Sequence, residues 1–250
     1  MKNYINKKLI AFDLDWTLAE SKSSLDKEMS ILLTNLLNKY NVAIISGWDY
    51  PQYLKQVIPF ITDKDLLEKL YLYPTCWTKA YIYKDWEFKK LYSEDLEKNE
   101  IENAIESIEL AIKEFKLNPE KIYWELIENR WTQITYSALW QEAPYEIKKS
   151  WDPDFEKRKL IKSFIEPLLP NLSISMWWST SIDITKKWID KAYAIEKLKK
   201  QLNINENEML FIWDALMEWW NDYAVMKTWV ECIETNWPEQ TKKIIQNLIN

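Results

Sequence analysis

The near absence of glycine constrains this chain more than any other feature, because glycine is the residue that takes positive φ angles at little cost. The sequence has 250 residues, of which one is glycine and sixteen are tryptophan. Glycine makes up about 7% of an average protein. The number of glycines expected in a chain of this length is therefore close to the glycine and tryptophan counts added together. We predict that most tryptophans stand where the natural protein has glycine, as happens when a UGA codon that the source organism reads as glycine is translated as tryptophan. The alternative is a genuinely tryptophan-rich protein.

The amino-acid composition excludes several kinds of active site. Without histidine the chain has no Ser-His-Asp triad, no Cys-His pair and no histidine-ligated zinc, so catalysis must rest on carboxylates, lysine, hydroxyls or a hard cation. Cys76 and Cys232 form no CxxC pattern, which favours a reducing compartment and predicts a cytoplasmic protein. A net charge of −6 disfavours nucleic acid as a partner, and no apolar run is long enough to predict a membrane span.

Apolar runs alternate with amphipathic segments at both ends of the chain. Buried strands are predicted at 9–15, 42–46 and 209–213, and amphipathic helices at 26–39 and 192–201. This βαβ alternation is typical of a doubly wound, Rossmann-like parallel sheet. We therefore predict an α/β fold with a discontinuous core domain at 1–92 and 186–250.

The middle of the chain has a different pattern. A hairpin is predicted around 84–86, followed by a long helix and by two segments, 122–139 and 173–185, that alternate in the manner of strands. Between them, Asp152 before Pro153 predicts a helix start, with Asp152 as N-cap and Trp151 as a hydrophobic staple. The order strand, strand, helix, strand predicts an inserted α+β cap domain at 93–185.

Four acidic residues are placed to hold a metal ion. Asp13 and Asp15 are two residues apart at the end of a buried strand, so their side chains point to one face, at the edge where open α/β sheets bind ligands. Asp214 ends the strand MLFIW in the same manner, and Asp222 follows eight residues later. Carboxylates without histidine favour a hard ion with oxygen ligands, and we predict Mg²⁺. The alternative is that these are ordinary polar residues at strand ends or helix caps.

A magnesium site predicts phosphate chemistry. One carboxylate of the pair Asp13 and Asp15 would attack phosphorus, and the other would transfer a proton to the leaving oxygen. Ser46, at the end of the strand VAIIS, and Lys191 are placed to stabilise the developing charge. The alternative for these two is an ordinary turn serine and a solvated helix lysine.

Several motifs resemble those of the haloacid dehalogenase superfamily. DLDWTL, with glycine at Trp16, is similar to the first motif DxDGT, IISG at 44–47 to the second, Lys191 to the third and WDALMEWWND to the fourth. The spacing from Asp214 to Asp222, the ENRW segment and SMWWSTSIDITKKWIDK resemble more closely the eukaryotic-type phosphomannomutases of subfamily IIB. The resemblance extends over nearly the whole chain.

In the core, the resemblance implies a role for each matching residue. It implies that Asp13 is the nucleophile and Asp15 the general acid and base. It also implies that Mg²⁺ is held by Asp13, the backbone carbonyl of Asp15, and Asp214, with Asn221 and Asp222 in support.

In the cap, the resemblance implies a substrate site. Arg130, Ser181 and Asp183 match positions that bind the distal phosphate or the hydroxyls of a sugar. Other arginines of the family fall on residues that lack a guanidinium group, which are Lys22, Gln141 and Lys148. Lysine binds phosphate as a point charge and not as a planar fork, so Lys22 and Lys148 remain candidate phosphate ligands, whereas glutamine brings no charge.

The predicted function is phosphoryl transfer on a phosphorylated sugar through an aspartyl-phosphate at Asp13. The missing arginines favour a phosphatase, in which water accepts the phosphoryl group, over a phosphomannomutase, in which a sugar hydroxyl accepts it. A third interpretation, an inactive protein that binds sugar phosphates, applies if the tryptophans are real and obstruct the site. The resemblance also implies a homodimer formed through the cap.

Position distinguishes the tryptophans from one another. Those beside the motif acids or in paired positions fall where the backbone approaches phosphate or needs positive φ, which favours glycine. These positions are Trp16, Trp177, Trp178, Trp213, Trp219 and Trp220. We predict a true tryptophan only at Trp151.

Overall fold

The computed structural model describes residues 4–21, 23–118, 125–139, 144–177, 180–189, 191–214 and 228–250. The strands are β1 (Leu9–Asp13), β2 (Asn41–Ile45), β3 (Leu70–Tyr73), β4 (Lys79–Lys84), β5 (Glu87–Ser93), β6 (Ile127–Asn129), β7 (Ile134–Ser137), β8 (Leu172–Trp177), β9 (Ser181–Lys186), β10 (Met209–Trp213) and β11 (Glu231–Glu234). The α-helices are α1 (Lys27–Lys39), α2 (Tyr50–Gln56), α3 (Lys98–Glu114), α4 (Tyr145–Trp151), α5 (Glu156–Ile165), α6 (Lys191–Leu202) and α7 (Pro238–Ile249). Single 3₁₀ turns lie at Ile58–Phe60, Asp65–Lys69, Glu166–Leu168 and Glu206–Glu208.

The chain divides into two compact units. One comprises Met1–Ser93 with Asp190–Asn250, and the other comprises Glu94–Ile189. The first unit contains a seven-stranded sheet in the order β11-β10-β1-β2-β3-β4-β5, and the second a four-stranded sheet in the order β6-β7-β9-β8. The predicted α/β fold class is confirmed.

The sheet of the first unit is parallel from β11 to β3. Its central strands β1, β2 and β10 are apolar and buried almost throughout, as strands are when helices cover both faces of a parallel sheet. The predicted strand at 209–213 coincides with β10. Strands β4 and β5 form the predicted hairpin and pair antiparallel onto β3, which extends the parallel sheet by two strands.

Five tryptophans take a backbone conformation that favours glycine. Eleven described residues other than glycine have positive φ, and among them are Trp16, Trp77, Trp86, Trp131 and Trp229, with φ between 59° and 68°. At such angles the Cβ atom causes steric strain, which destabilises every residue except glycine. Trp86 follows Asp85 in the two-residue turn between β4 and β5, where both angles are positive and Asp-Gly is the favoured pair.

The other predicted glycine positions differ from these five. Trp213 lies in the extended strand β10 with its indole fully buried and packed edge-on against Phe211, so no positive φ requires glycine there. Trp177 is the last residue of the extended strand β8. Trp178, Trp219 and Trp220 lie outside the described residues.

A side chain caps the first helix. The Asp26 carboxylate accepts a hydrogen bond from the Met29 N–H at 2.8 Å and pairs with Lys242 Nζ of α7 at 2.7 Å. Burial by itself would raise the pKa of Asp26, but the hydrogen bonds from Lys242 and Met29 outweigh it, so that the pKa lies below its ordinary value. The folded protein therefore favours the ionised carboxylate.

We expect Asp26→Ala to lower the free energy of unfolding at pH 7 by about 1 kcal/mol, the usual effect of losing an N-cap. Asp26→Asn is the matched control, because its amide oxygen still accepts from Met29 while the charge for Lys242 is lost. Since the folded-state pKa is lowered, the contribution of the carboxylate is present above the ordinary pKa of aspartate and is lost as the pH falls through the lowered value. Urea unfolding at pH 7 and pH 3 measures both effects, and equal stability of Asp26→Ala and wild type at pH 7 would contradict the assignment.

The second unit packs two helices against one face of its sheet. Residues that alternate along β7 and β9 point to the helices, and Ile134, Tyr136, Ile182 and Ile184 form a buried core with apolar residues of α3 and α5. The intervening residues Thr135, Ser137, Ser181 and Asp183 point to the opposite face. This sheet therefore has one apolar and one polar face.

The predicted helix start at Asp152 is wrong. Helix α5 begins at Glu156, and its N-cap position is Phe155. The buried Asp152 carboxylate instead accepts from the N–H of Lys157 at 2.9 Å and pairs with Arg158 Nε at 2.6 Å. The buried guanidinium requires a carboxylate partner, and that requirement places Asp152 ahead of the helix rather than at its cap. Trp151 is the last residue of α4 and packs against the cap core, with the Lys157 ammonium 4.9 Å from its ring centroid, rather than acting as a staple for α5.

In the part of the chain that the structure describes, no helix combines the length and apolar character needed to cross a membrane.

Candidate active site

Three of the predicted residues meet at the carboxyl edge of the central sheet. Strand β1 lies between β10 and β2, with Phe12 opposite Ile212 and Asp13 opposite Ile45. Ser46 directly follows β2, and Asp214 directly follows β10. The structure therefore brings Asp13, Ser46 and Asp214 to the ends of three neighbouring parallel strands, where open α/β sheets bind ligands.

A tight loop after β1 positions Asp15. The N–H groups of Leu18 and Ala19 donate to the Leu14 carbonyl, and the Trp16 N–H donates to the Ala19 carbonyl at 2.7 Å. Within this loop Trp16 has a positive φ of 60°. The Trp16 indole leaves the loop and packs edge-on against Trp237, with ring centroids 5.3 Å apart.

The loop after β2 contacts the loop after β1. Ser46 is buried, and its Oγ accepts from the Trp48 N–H at 3.3 Å. The Trp48 indole Nε1 donates to Asp15 Oδ2 at 2.5 Å. The Trp48 indole therefore already donates a hydrogen bond to Asp15, the carboxylate predicted to transfer the proton. Sequence reasoning missed this contact, and its one signal was the position of Trp48 directly after Gly47 in the second motif.

Buried polar side chains support the loop after β2. The Tyr53 hydroxyl is fully buried within hydrogen-bonding distance of the Tyr73 carbonyl, at 3.1 Å. Burial raises the pKa of Tyr53 well above its ordinary value, and the negative charges of Asp13 and Asp15 raise it further. Tyr53 therefore stays neutral. Lys79, which the sequence did not single out, is buried and pairs with Asp49 at 2.9 Å.

The donor types at this edge suit a hard cation. Asp13, Asp15 and Asp214 present carboxylate and carbonyl oxygens, which are the ligands that Mg²⁺ prefers. Within the described ranges, no three acidic or sulfur-bearing side chains lie close enough together to hold a metal ion. Asn221 and Asp222, the other predicted members, lie outside those ranges.

Of the two remaining residues predicted for the core site, the structure describes only one. Lys191 is the first residue of α6. Lys22 lies outside the described residues.

The polar face of the cap sheet brings the predicted cap residues Ser181 and Asp183 into one network. Ser137 and Ser181 share a hydrogen bond of 3.0 Å between their hydroxyls. Thr135 Oγ1 donates to Asp183 Oδ1 at 2.7 Å and accepts from Gln133 Nε2 at 2.9 Å. Sequence reasoning missed Gln133 and Thr135, although the alternation in TQITYS places both on the face of Ser137.

Arg130 and Lys148 have different surroundings. The buried Arg130 guanidinium pairs with Glu128 through Nε at 3.1 Å and Nη2 at 2.8 Å. The carboxylate of Glu128, which the sequence did not single out, compensates the charge of Arg130. Lys148 lies half-buried in α4, and Gln141 lies outside the described residues.

Comparison with known proteins matches most of this chain to one family. Residues 10–229 match the family model of the haloacid dehalogenase-like hydrolases. This chain belongs to that family. The superfamily resemblance based on DLDWTL and IISG is confirmed.

Individual relatives align with nearly the whole of this chain. The phosphomannomutase of Saccharomyces cerevisiae is 23% identical over 252 residues, which span 97% of this chain and 94% of that protein. The N-terminally truncated IMP-nucleotidase of Plasmodium falciparum superposes with a TM-score of 0.73 at 16% identity, over 98% of this chain and 71% of that one. The trehalose-6-phosphate phosphatase of Aspergillus fumigatus superposes with a TM-score of 0.58 at 14% identity, over 98% and 93%. At these identities the two structures establish a shared fold.

Proposed function

We propose that this haloacid dehalogenase-like hydrolase is a Mg²⁺-dependent phosphatase of sugar phosphates that works through an aspartyl-phosphate on Asp13. The observation that carries the proposal is the position of Asp13 on the central strand, with Ser46 and Asp214 at the ends of the two neighbouring strands. A carboxylate there reaches a phosphoryl group bound at the sheet edge.

Asp13 acts as the nucleophile and Asp15 as the general acid and base. The Asp13 carboxylate attacks phosphorus, and the bond from phosphorus to the sugar oxygen breaks while Asp15 gives that oxygen a proton. Asp15, now ionised, then takes a proton from water as the water oxygen attacks phosphorus. The bond from phosphorus to Asp13 breaks, which returns the Asp13 carboxylate and releases inorganic phosphate.

Charge neutralisation comes from the metal and from the protein. Bound Mg²⁺ supplies positive charge next to the phosphoryl oxygens, and Asp13, the Asp15 carbonyl, Asp214, Asn221 and Asp222 would hold it. Ser46 and Lys191 would donate hydrogen bonds to the same oxygens.

In the cap, we assign recognition of the sugar to the polar face. Ser181 and Asp183 present a hydroxyl and a carboxylate there, and Arg130 together with Lys22 and Lys148 would bind a distal phosphate. Association of two chains through the cap remains part of the proposal.

A phosphomannomutase is the second candidate, because the yeast relative of that name matches 97% of this chain. The two reactions share the aspartyl-phosphate and differ in the acceptor, which is water or a sugar hydroxyl. The missing arginines at Lys22, Gln141 and Lys148 favour the phosphatase, since reorienting a bisphosphate requires a strong second phosphate site.

We also propose that the natural protein has glycine at most of its tryptophan positions. The positive φ angles at five tryptophans and the contact of the Trp48 indole with Asp15 support this proposal. An inactive sugar-phosphate binder is the outcome if the indoles are real.

The natural protein, or one made with glycine codons, is expected to release phosphate from hexose phosphates faster than it isomerises mannose 1-phosphate in the presence of a hexose bisphosphate. EDTA should lower the rate by about 10²-fold, because the metal contributes several kcal/mol to stabilising the transition state. EDTA already saturated with Mg²⁺ is the control. Formation of mannose 6-phosphate that outpaces phosphate release would favour the mutase, and binding without any turnover would favour the inactive binder.

A further inference from the structure

We propose that Gln133 is a specificity-determining residue whose side-chain carbonyl accepts a hydrogen bond from a hydroxyl group of the substrate's sugar. This inference rests on the proposed function and adds to it a residue that neither the motifs nor the family match identifies. Gln133 lies directly before β7, on the face that also presents Thr135 and Ser137.

No described residue pairs with the amide oxygen of Gln133, which is buried. The side chain is fully buried, and Oε1 has no hydrogen-bond partner among the residues that the structure describes. Buried polar atoms are nearly always hydrogen-bonded, because leaving one unpaired costs the free energy of its desolvation. An atom of this kind on a polar sheet face is poised to accept a donor from a ligand.

A relay fixes the orientation of the amide. Thr135 Oγ1 donates its only proton to Asp183 Oδ1 at 2.7 Å, so its oxygen is left to accept. Gln133 Nε2 donates to that oxygen at 2.9 Å. Turning the amide around would place Oε1 against Thr135 Oγ1 with no proton between them. Asp183 therefore holds Gln133 Oε1 away from Thr135 and open to another donor.

The chemistry of the missing donor points to a hydroxyl group. An amide oxygen has no proton to give and repels the oxygens of a phosphate, so it does not bind the phosphoryl end of a substrate. The same face presents a carboxylate at Asp183 and hydroxyls at Ser137 and Ser181. A row of acceptors and hydroxyls matches a polyol, in which each hydroxyl both donates and accepts.

The test replaces Gln133 with methionine, which has similar volume but no acceptor. We expect kcat/KM for a hexose phosphate to fall about tenfold, the effect of one hydrogen bond. The loss should disappear for the monodeoxy hexose phosphate that lacks the bonded hydroxyl, and for phenyl phosphate, which has no sugar. Ser173→Ala, on the same face of the sheet but on β8, which β9 separates from β7, is the control and should leave all substrates unchanged.

Thermal unfolding separates recognition from folding. Oε1 has no partner among the described residues, so methionine removes from the fold only the hydrogen bond from Nε2 to Thr135, and Gln133→Met should unfold within a few degrees of wild type. A larger fall in unfolding temperature with an equal loss on every substrate would assign Gln133 a structural role and overturn the inference, as would an unchanged kcat/KM on hexose phosphates. A wild-type protein that neither binds nor cleaves any hexose phosphate would overturn the proposed function itself, and the inference with it.

Discussion

Asp13→Asn is expected to lower sugar-phosphate turnover by about 10³-fold or more, because an amide cannot attack phosphorus and carries no charge for a metal ion. The two side chains have nearly the same shape, so the pairing of β1 with β2 and β10 should remain. The variant should therefore unfold like wild type while losing activity. Steady-state kinetics and circular dichroism measure the two properties on the same samples.

The mechanism also predicts that Asp13 is phosphorylated during turnover. Acid quenching during turnover should trap a phosphorylated peptide that contains Asp13 in wild type and none in Asp13→Asn. Asp49→Asn is the matched control, because Asp49 lies on the neighbouring loop, where its carboxylate pairs with Lys79. It should stay within a few-fold of wild type. Unchanged turnover in Asp13→Asn would show that the aspartyl-phosphate mechanism is wrong.

Glycine at Trp86, Trp131 and Trp229 is expected to stabilise the protein by about 2 kcal/mol in total, since the strain of about 1–2 kcal/mol relieved at each positive φ exceeds the ~0.4–1 kcal/mol lost because glycine makes the unfolded chain more flexible. These three indoles are 66% to 89% exposed, so removing them leaves no cavity. Their φ angles are 62° to 68°, which glycine adopts without strain. Urea unfolding of the triple variant and of the protein with tryptophan at these three positions measures the gain.

Trp188→Gly provides the matched control for the exposed tryptophans. Trp188 is 60% exposed, and its φ is not positive. Glycine there should leave stability unchanged or lower it, because flexibility is added to the unfolded chain with no strain relieved. A gain at Trp188 equal to that at the other three sites would contradict the φ argument. Mass spectrometry of the natural protein supplies an independent measurement, and a mass equal to that of the printed sequence would refute recoding.

Local patterns in the sequence determined much of the fold. The run MLFIW predicted β10 to the residue, and the apolar stripe at 26–39 predicted the buried face of α1. Asp13 and Asp15 at the end of the predicted strand 9–15 indicated an acidic edge, although β1 ends at Asp13 and Asp15 lies in the loop that follows. These features depend on periodicity and on neighbours close in the chain, so the sequence alone determines them.

Contacts between distant residues decided the rest. The start of α5 depends on the buried pair of Asp152 with Arg158, which overrode a local capping pattern. The Trp48 indole reaches Asp15 across 33 residues, and Thr135 reaches Asp183 across 48. No local pattern encodes which buried polar atoms will be paired or left open, because that depends on which side chains the folded sheets bring together. The sequence by itself thus determined the strands, the acidic motif and the glycine deficit, whereas only the tertiary structure decided the relay that orients Gln133.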